Sequence, residues 1–400
     1  MRSALTGTVI LILIAAYISA SLLLPIKALS APRPSTTLNI TTQSSNLPWP
    51  KYGEGAVGLG NGSIIQSHGT QKPSPTASVA KLITALAVLS KHPLSIGQPG
   101  PDITIDATDY SIYTTYIAEQ GSVVPVYQGE QLTEYQMLEA MLVPSGNNIA
   151  DALARWAFGS LSAYFTYANT FVKQLGLNNT HVGGDASGFS PETTSTANNL
   201  IVLGSRFMAN PVLAQIVALK SVVIPNVGVM QNYNNILGVD GIEGIKTGNS
   251  NQAGGVFLSA ATTNVNGHSV TILTALMGAP TLTQALTDTV PLVVSIENDF
   301  GQTILVSKGE VLGEFKQPWG GVVQIAASTN LTAYLLQGQS DRVDLSLSSL
   351  KIPAVSGTKV GTITTQPDAL NSAKSVNVVT LSSTTKPNWS WRLTHPGYIF

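Results

Sequence analysis

PTASVAKLITALAVL, residues 75–89, carries the first sign of chemistry in this chain of 400 residues. Its apolar residues recur at helical spacing and predict a helix with one buried face: Val79, Leu82, Leu86 and Leu89. Thr76 is suited to be the N-cap, which places Ser78 in the first turn, where free N–H groups and the helix dipole favour negative charge. Lys81 follows three residues later on the same face. The pair therefore predicts a serine nucleophile with a lysine as its base.

Two motifs downstream make this pair more specific. Ser-x-x-Lys alone is not distinctive, because three other matches lie in strand-like or loop-like sequence: Ser348/Lys351, Ser356/Lys359 and Ser383/Lys386. Ser145-Gly146-Asn147 and Lys246-Thr247-Gly248, however, follow Ser78 in the order found in penicillin-binding proteins and serine β-lactamases. The ordered triple predicts an acyl-transfer enzyme.

The resemblance to that group extends over about residues 48–381 and is closest to the D-alanyl-D-alanine carboxypeptidases. It is carried by stretches longer than the motifs: PWPKYGEGAVGL (48–59), PSGNNIADALARWAFGS (144–160), DASGFSPETTSTANNL (185–200), GIEGIKTGNSNQAGG (241–255) and KGEVLGEF (308–315). It implies an α+β fold: a serine β-lactamase/DD-peptidase-like domain, with an antiparallel sheet flanked by helices and a helical insert, followed by a small all-β sandwich domain. It also implies removal of the terminal D-alanine from peptidoglycan stem pentapeptides through an acyl-serine intermediate, covalent binding of β-lactam antibiotics such as penicillin, and a role in cell-wall maturation.

The residue types in the motifs suit attack on an amide. Ser78 must lose its proton to Lys81, which can accept it only when neutral, and burial or a nearby cation such as Lys246 lowers the pKa of a lysine. Ser145 can pass the proton on to the leaving amine, because a hydroxyl both donates and accepts. Asn147 can hold the substrate backbone and orient Lys81. We therefore predict Ser78, Lys81 and Ser145 as the catalytic residues.

The third motif is predicted to bind substrate together with Asn147. A Lys-Thr-Gly strand at a sheet edge can pair with an extended peptide, and Gly248 leaves room for that close approach. Lys246 attracts the terminal carboxylate of the substrate, and Thr247 can hydrogen-bond to it.

Other family features are implied or missing. The resemblance implies an oxyanion hole made by the backbone N–H groups of Ser78 and Asn249. Many relatives also carry an arginine, soon after the strand that follows Lys-Thr-Gly, which grips the substrate carboxylate. This chain has no arginine between Arg206 and Arg342, so that role is left to the Lys-Thr-Gly residues or to groups not identified from sequence. Asn148 stands where a carboxylate is common, and we expect this change to affect packing more than chemistry.

Composition argues against several other classes of protein. Hydrophobic residues make up 44% of the chain, enough for substantial cores, whereas charged residues make up only 10% and the net charge is −1, which argues against a nucleic-acid-binding protein. The chain has no cysteine, and its five histidines lack the spacing of metal ligands: His68, His92, His181, His268 and His395. We therefore predict no metal site and no cofactor.

The first thirty residues are more apolar than the rest of the chain. Arg2 precedes a nearly continuous apolar run, Thr8–Leu24, so residues 1–30 are predicted to be a signal peptide or an N-terminal membrane anchor. Ala28-Leu29-Ser30 is a passable cleavage site, and the sequence leaves both cleavage and retention open. In either case we expect the rest of the chain outside the cytoplasm: on the extracytoplasmic face of the bacterial membrane if anchored, or secreted or associated with the cell wall if cleaved.

Composition and periodicity suggest the remaining boundaries. They predict a linker rich in Pro, Ser and Thr (31–46), a catalytic domain (47–300), a β domain of seven short strands (301–385) and a tail (386–400). Likeness to the carboxypeptidases' second domain implies a pedestal that holds the active site away from the membrane. In the tail, Trp389 and Trp391 can pack on the protein or touch a lipid interface, and we favour packing.

Local signals place the motifs on elements of the catalytic domain. Thr133 and Gln136 form a capping box that opens a helix. Ser145 then lies on a tight connection to the next helix, and Lys246 begins a strand-like region. Residues 111–127 are expected to be irregular.

Two alternative functions stay open. A serine β-lactamase shares the fold and the acylation step, but no Glu-x-x-Leu-Asn loop follows Ser145 at a suitable distance, since Glu192 lies in Glu-Thr-Thr-Ser-Thr. The appended β domain also argues against it. A catalytically silent wall-binding protein is disfavoured because all three motifs are intact.

Overall fold

The computed structural model describes residues 2–32, 35–41, 46–336, 340–368 and 370–400. The chain divides into two units, each with its own core. Ser45–Asp299 forms one, called here the α+β unit, and Met1–Ser44 together with Phe300–Phe400 forms the other, called the β unit.

The helices and strands alternate along the first unit, whereas strands dominate the second. The α-helices are α1 Arg2–Leu23, α2 Lys81–Lys91, α3 Ala107–Ala118, α4 Glu134–Leu142, α5 Asn147–Phe158, α6 Leu161–Gln174, α7 Ala197–Met208, α8 Pro211–Val217, α9 Leu282–Asp299 and α10 Trp389–Thr394. Short 3₁₀ helices cover Ala77–Ala80, Val239–Gly241 and Pro396–Tyr398. The strands are β1 Ser35–Thr41, β2 Glu54–Leu59, β3 Ile64–His68, β4 Ser74–Pro75, β5 Asp102–Thr104, β6 Gln131–Thr133, β7 Thr194–Ser195, β8 Ser221–Ile224, β9 Gly228–Gln231, β10 Ile242–Ser250, β11 Gly254–Val265, β12 His268–Ala279, β13 Phe300–Val306, β14 Val311–Lys316, β15 Val322–Ala327, β16 Leu331–Leu336, β17 Ser340–Leu347, β18 Lys359–Thr365 and β19 Ser375–Thr380.

A five-stranded antiparallel sheet supports the α+β unit, in the order β10-β11-β12-β2-β3. Helix α9 packs on β11 and β12 around Phe257 and Leu286, and α7 packs on β2, β11 and β12. The strand predicted for Lys246-Thr247-Gly248 is β10, and it lies at one edge of this sheet.

The helical part of the unit is built around α2, which contacts α4, α5, α6 and α7. The predicted capping box at the start of α4 is confirmed, because Thr133 Oγ1 accepts from the Gln136 N–H and Gln136 Oε1 accepts from the Thr133 N–H, at 3.2 and 3.0 Å. The expectation of irregular structure over residues 111–127 is wrong for its first part, because α3 continues to Ala118. Asp109 and Tyr116 are the residues that α3 buries, so the sequence shows no apolar stripe there.

The seven strands predicted after Phe300 are all present and form the expected sandwich. Six strands form an antiparallel sheet in the order β1-β17-β18-β19-β15-β14, and β13 pairs with β16. Side chains from both sheets share one core, including Leu305 and Leu335 from the pair and Phe315, Val343 and Ile363 from the larger sheet.

Two segments correct the predicted domain plan. The linker expected over residues 31–46 is wrong where Ser35–Thr41 forms β1, an edge strand antiparallel to β17; residues 33–34 and 42–45 of that prediction lie outside the described residues. Leu38 and Ile40 alternate with the polar residues Thr37, Asn39 and Thr41 in this strand and pack against the core of the β unit. Residues 386–400, predicted only as a tail, contain α10, whose N-cap is Asn388.

Candidate active site

The three motifs meet at one cavity of about 250 Å³ in the α+β unit. Its lining includes predicted residues from each of them: Ser78, Ser145, Asn147, Thr247, Gly248 and Asn249. Gln120, Ser122, Phe189, Tyr233 and Leu282 complete much of the wall. Lys81 and Lys246 are buried, with exposed fractions of 0% and 2%. The structure therefore brings together every residue that the sequence predicted for the site.

Ser78 lies on a 3₁₀ turn, Ala77–Ala80, that leads directly into α2. The predicted side-chain cap by Thr76 is wrong, because its hydroxyl makes no capping bond to this helix. Ala77 adopts a positive φ of 45°, which is uncommon for a residue with a side chain. Such backbone strain is concentrated at functional sites, where surrounding structure holds it in place. The turn presents Ser78 at the cavity wall while its neighbours Ala77 and Val79 are buried.

The Lys81 amine makes three polar contacts. Nζ lies 2.8 Å from Ser78 Oγ, 2.7 Å from Asn147 Oδ1 and 3.2 Å from the Ser187 carbonyl oxygen. The two carbonyl-type oxygens can only accept hydrogen bonds, whereas the hydroxyl of Ser78 can also donate. A neutral amine satisfies all three contacts if its two hydrogens go to Asn147 and Ser187 and its lone pair faces the Ser78 hydroxyl. The geometry therefore suits a base that receives the serine proton.

The electrostatics favour the same protonation state. Burial, and next the charge of Lys246, hold the pKa of the Lys81 amine well below its usual range. The carboxylates of Asp185 and Asp151 oppose this shift without reversing it. Burial lowers the pKa of Lys246 itself to about 7.

Ser145 occupies the connection between α4 and α5 with a positive φ of 63°. It is 3% exposed, and its Oγ has no hydrogen-bond partner among the described residues. Buried hydroxyls are normally bonded, so an unbonded one in a cavity wall is available to a bound substrate. The predicted tight helix–helix connection is confirmed.

The start of α5 holds a loop against the site. The Asn147 N–H donates to the Ser122 carbonyl at 2.8 Å. The Asn148 side chain accepts from the Val124 N–H at 3.0 Å and donates to the Val124 carbonyl at 2.9 Å. A carboxylate could make the first of these bonds but not the second, because it has no hydrogen to donate. Asn148 therefore serves packing of the Ser122–Val124 loop, as expected.

Strand β10 runs against the turn that carries the nucleophile. A Cβ placed on Gly248 would lie 2.9 Å from the Thr76 carbonyl oxygen and 3.2 Å from the Ser78 nitrogen, so a larger residue would push the strand away. Lys246 Nζ donates to the Thr247 carbonyl at 3.2 Å.

Two buried aspartates form a support that sequence reasoning missed. Asp185 accepts from the backbone N–H groups of Ser187, Phe189 and Ser190, which folds the loop that places the Ser187 carbonyl on Lys81. Asp151 accepts from the Tyr116 hydroxyl and from the backbone N–H of Ala186, both at 2.8 Å. Burial raises the pKa of Asp151 to about 6, and the charge of Asp185 adds to the effect. Asp151 lies four residues after Asn147 in α5, a same-face spacing that could have pointed to it.

Within the described residues, no group of three or more His, Cys, Asp or Glu side chains is arranged to hold a metal ion.

Comparison with known proteins agrees with this arrangement. The sequence profile of the D-alanyl-D-alanine carboxypeptidases of peptidase family S11 matches residues 56–281. The D-alanyl-D-alanine carboxypeptidase DacB2 of Mycobacterium tuberculosis is 30% identical over 211 residues, which are 51% of this chain and 67% of that protein.

Solved structures support the fold. Penicillin-binding protein 5 of Haemophilus influenzae superposes with a TM-score of 0.60 at 20% identity, covering 85% of this chain and 99% of that one. A D-alanyl-D-alanine carboxypeptidase of M. tuberculosis superposes with a TM-score of 0.54 at 26% identity, covering 62% and 92%. The predicted fold class is thus confirmed. Since the family profile spans more than half of its length, the chain belongs to the D-alanyl-D-alanine carboxypeptidase family of serine peptidases.

Proposed function

We propose that this protein is a serine-type D-Ala-D-Ala carboxypeptidase that removes the terminal D-alanine of peptidoglycan stem pentapeptides during cell-wall maturation, with Ser78 as nucleophile. The observation that carries the proposal is the contact set of Lys81, a fully buried amine that reaches Ser78 Oγ at 2.8 Å while two other oxygens occupy its hydrogens.

Acylation begins with transfer of the Ser78 proton to the neutral amine of Lys81. Oγ then attacks the carbonyl carbon of the penultimate D-alanine, and the carbonyl electron pair moves onto its oxygen. The backbone N–H groups of Ser78 and Asn249, both at the cavity wall, stabilise that oxyanion. When the intermediate collapses, the C–N bond breaks, and the proton held by Lys81 reaches the leaving nitrogen through the unbonded hydroxyl of Ser145.

Deacylation again uses Lys81 first as base and then as acid, but now water is the nucleophile and Ser78 is the leaving group. After D-alanine leaves, a water molecule loses a proton to Lys81, attacks the ester carbon, and the Ser78 oxygen leaves with a proton returned by Lys81. A penicillin acylates Ser78 in the same way, but its leaving amine stays tethered to the acyl group. It continues to block the approach of water, so the penicilloyl adduct persists.

The terminal carboxylate of the substrate binds where Thr247 lines the cavity, and the buried amine of Lys246 attracts it from the neighbouring position of β10. The absence of a side chain at Gly248 lets β10 lie close to the turn that carries Ser78, rather than making room for the peptide. Tyr233 lines the same cavity with Thr247 and is half exposed, so its phenol can donate a further hydrogen bond. The charge of Lys246 and the hydroxyl donors of Thr247 and Tyr233 stand in for the arginine that many relatives use. The Asn147 amide, fixed by its contact with Lys81, orients the substrate backbone.

We also propose that the enzyme works outside the cytoplasm, on peptidoglycan at the membrane surface. Leu5–Leu23 within α1 is long and apolar enough to cross a membrane, with only 6% of it buried against the rest of the protein.

The proposal is tested by incubating the purified protein with penicillin and mapping the adduct by mass spectrometry. The adduct is expected on the peptide that contains Ser78, and Ser78→Ala is expected to lose both the adduct and the release of D-alanine from a stem pentapeptide. Ser348→Ala is the matched control, because Ser348 also precedes a lysine by three residues but donates to the Val360 carbonyl in the β unit.

Two results would contradict the proposal. Adduct formation on Ser348 would remove Ser78 as nucleophile, and the absence of any adduct from a folded protein would favour a silent wall-binding protein. Loss of the penicilloyl adduct as fast as peptide turnover would instead favour a serine β-lactamase.

A further inference from the structure

The apolar helix α1 is exposed on all sides over residues 5–19, whereas Ser21 near its carboxyl end is buried. Leu11 and Leu23 are 69% and 83% exposed, and neighbouring aliphatic residues resemble them. A water-soluble protein does not maintain such a surface, whereas a bilayer of about 30 Å accommodates a 19-residue apolar helix. What the helix alone leaves open is whether it stays attached to the mature protein.

The carboxyl end of this helix is held by residues 389–400. Arg392 Nε donates to the Ser21 carbonyl at 2.7 Å, and a second guanidinium nitrogen donates to the Leu24 carbonyl. The Tyr17 hydroxyl donates to the Leu393 carbonyl at 2.6 Å. The last carbonyls of a helix lack partners within it and carry partial negative charge. The guanidinium of Arg392 therefore supplies both the donors and the positive charge that this helix end requires.

The residues after the helix are built into the β unit. The Lys27 N–H donates to the Tyr398 carbonyl at 2.8 Å, and its amine donates to the Gly397 carbonyl at 3.0 Å. Leu29 exchanges two backbone hydrogen bonds of 2.9 Å with Leu350, and its side chain belongs to the core of the β unit. Cleavage at Ala28-Leu29-Ser30 would thus break a paired and buried segment.

Five aromatic residues of α10 and of the segment after it are called here the aromatic collar, since α10 contacts α1 and Phe400 packs on Tyr17: Trp389, Trp391, His395, Tyr398 and Phe400. Trp391 packs on His395, Tyr398 and Trp319, with ring centroids 4.5 to 5.4 Å apart, so the expected packing is confirmed for this tryptophan. Trp389 is instead 69% exposed. Exposed tryptophan and tyrosine at the end of a spanning helix lie at the level of the lipid headgroups.

From these contacts we infer that α1 is retained as a permanent anchor and that the aromatic collar is its lipid-interface partner, with Trp389 in the headgroup layer. Arg392, Tyr17 and Lys27 clamp the helix to the β unit, so the junction between anchor and protein is ordered rather than a free tether. The inference rests on the proposed location outside the cytoplasm, and its partner is the bilayer surface.

The first test is the mass of the full chain, expressed in a bacterial host and labelled with fluorescent penicillin in membranes. Labelled protein that keeps residues 1–30 and withstands an alkaline carbonate wash supports retention. Labelled protein that lacks them overturns the inference while leaving the enzymatic proposal intact. Folded full-length protein in membranes without label contradicts the enzymatic proposal alone.

The second test uses the absence of cysteine, which makes single labels unambiguous. An environment-sensitive fluorophore on Trp389→Cys is expected to shift to the blue in phosphatidylcholine/phosphatidylglycerol vesicles and to be quenched by lipids with a spin label near the headgroup. The matched control is Val223→Cys, which is 70% exposed in the α+β unit and should show neither change. Equal quenching at both positions, or none at residue 389, would overturn the placement of the collar.

The clamp is tested by a short bis-maleimide cross-link between Tyr17→Cys and Leu393→Cys in the same vesicles. We expect the intramolecular cross-link to form in an otherwise native chain and its yield to fall several-fold when Arg392→Gln is added. Adding Arg342→Gln, an exposed arginine of β17, should leave the yield unchanged. An unchanged cross-link yield after Arg392→Gln would show that this guanidinium does not hold the helix end.

Discussion

The charge of Lys246 should set the alkaline limit of the enzyme, and this can be measured directly. Burial lowers the pKa of this amine from 10.5 to about 7, which corresponds to roughly 5 kcal/mol against the charged form. Lys246 must be charged to attract the substrate carboxylate, whereas Lys81 must be neutral to act as base. The value of kcat/KM should therefore rise with pH as Lys81 loses its proton and fall as Lys246 loses its own.

The size of the fall follows from the pKa. With half of Lys246 charged at pH 7 and about one hundredth charged at pH 9, kcat/KM for a D-Ala-D-Ala peptide should drop roughly 50-fold between these values. A guanidinium stays charged over this range, so Lys246→Arg should remove the drop, although its larger head group lowers the absolute rate. Thermal melting shows whether this buried substitution leaves the protein folded.

A substrate change provides the control that does not depend on the variant. A peptide whose terminal carboxylate is replaced by an amide gains nothing from a charged Lys246, so its kcat/KM should not fall between pH 7 and pH 9. A wild-type profile that stays level to pH 9 with the carboxylate substrate would refute the reasoning. An identical fall with the amide would assign the limit to another group.

Three further predictions concern single residues of the α+β unit. Lys81→Arg keeps the charge but cannot accept a proton, so penicillin labelling should fall by about three orders of magnitude or more without loss of the folded state in a melting experiment; labelling at the native rate would rule out Lys81 as base. Tyr233→Phe removes one hydrogen-bond donor from the cavity and should raise KM for the peptide about fivefold at unchanged kcat, and an unchanged KM would exclude the phenol from carboxylate recognition. Glu134 is fully buried, its carboxyl oxygens have no partner among the described residues, and burial raises its pKa to about 7. The folded state then holds a proton that the unfolded state releases. The free energy of unfolding is therefore highest below about pH 4.5 and falls by about 3 kcal/mol as pH rises to 7. Denaturant unfolding at pH 5 and pH 8 should show that Glu134→Gln removes this part of the pH dependence, and equal dependence in both proteins would contradict it.

Local signals predicted much of this molecule. The capping box at Thr133 fixes the start of α4 because both of its bonds lie within four residues. Asn61-Gly62 is likewise a local turn signal in the sequence, and it lies in the turn between β2 and β3, where Gly62 has a positive φ of 85°. The three motifs predicted the site because each residue type has a distinct chemical task.

Features that depend on distant partners escaped prediction. Strand β1 pairs with Ser340–Leu347, about three hundred residues away. Its own composition does not indicate which strand it pairs with. The role of Asp185 depends on the loop it folds, and that loop matters only because it reaches Lys81. Helix α3 was missed because few of its residues are buried and its capping box uses Asp109 in place of glutamate or glutamine.

The two buried aspartates show how the site keeps a lysine neutral beside negative charge. Their carboxylates face donors other than Lys81: Asp151 is taken by Tyr116 and a backbone N–H, and Asp185 by the N–H groups of its own loop. A carboxylate bonded directly to the amine would form an ion pair and hold the proton there, which would remove the base. Because the two carboxylates bond to the loop instead of to the amine, their charges fold the loop that positions Lys81. Burial and the charge of Lys246 then decide its pKa, so the fold separates the task of placing Lys81 from the task of setting its protonation state.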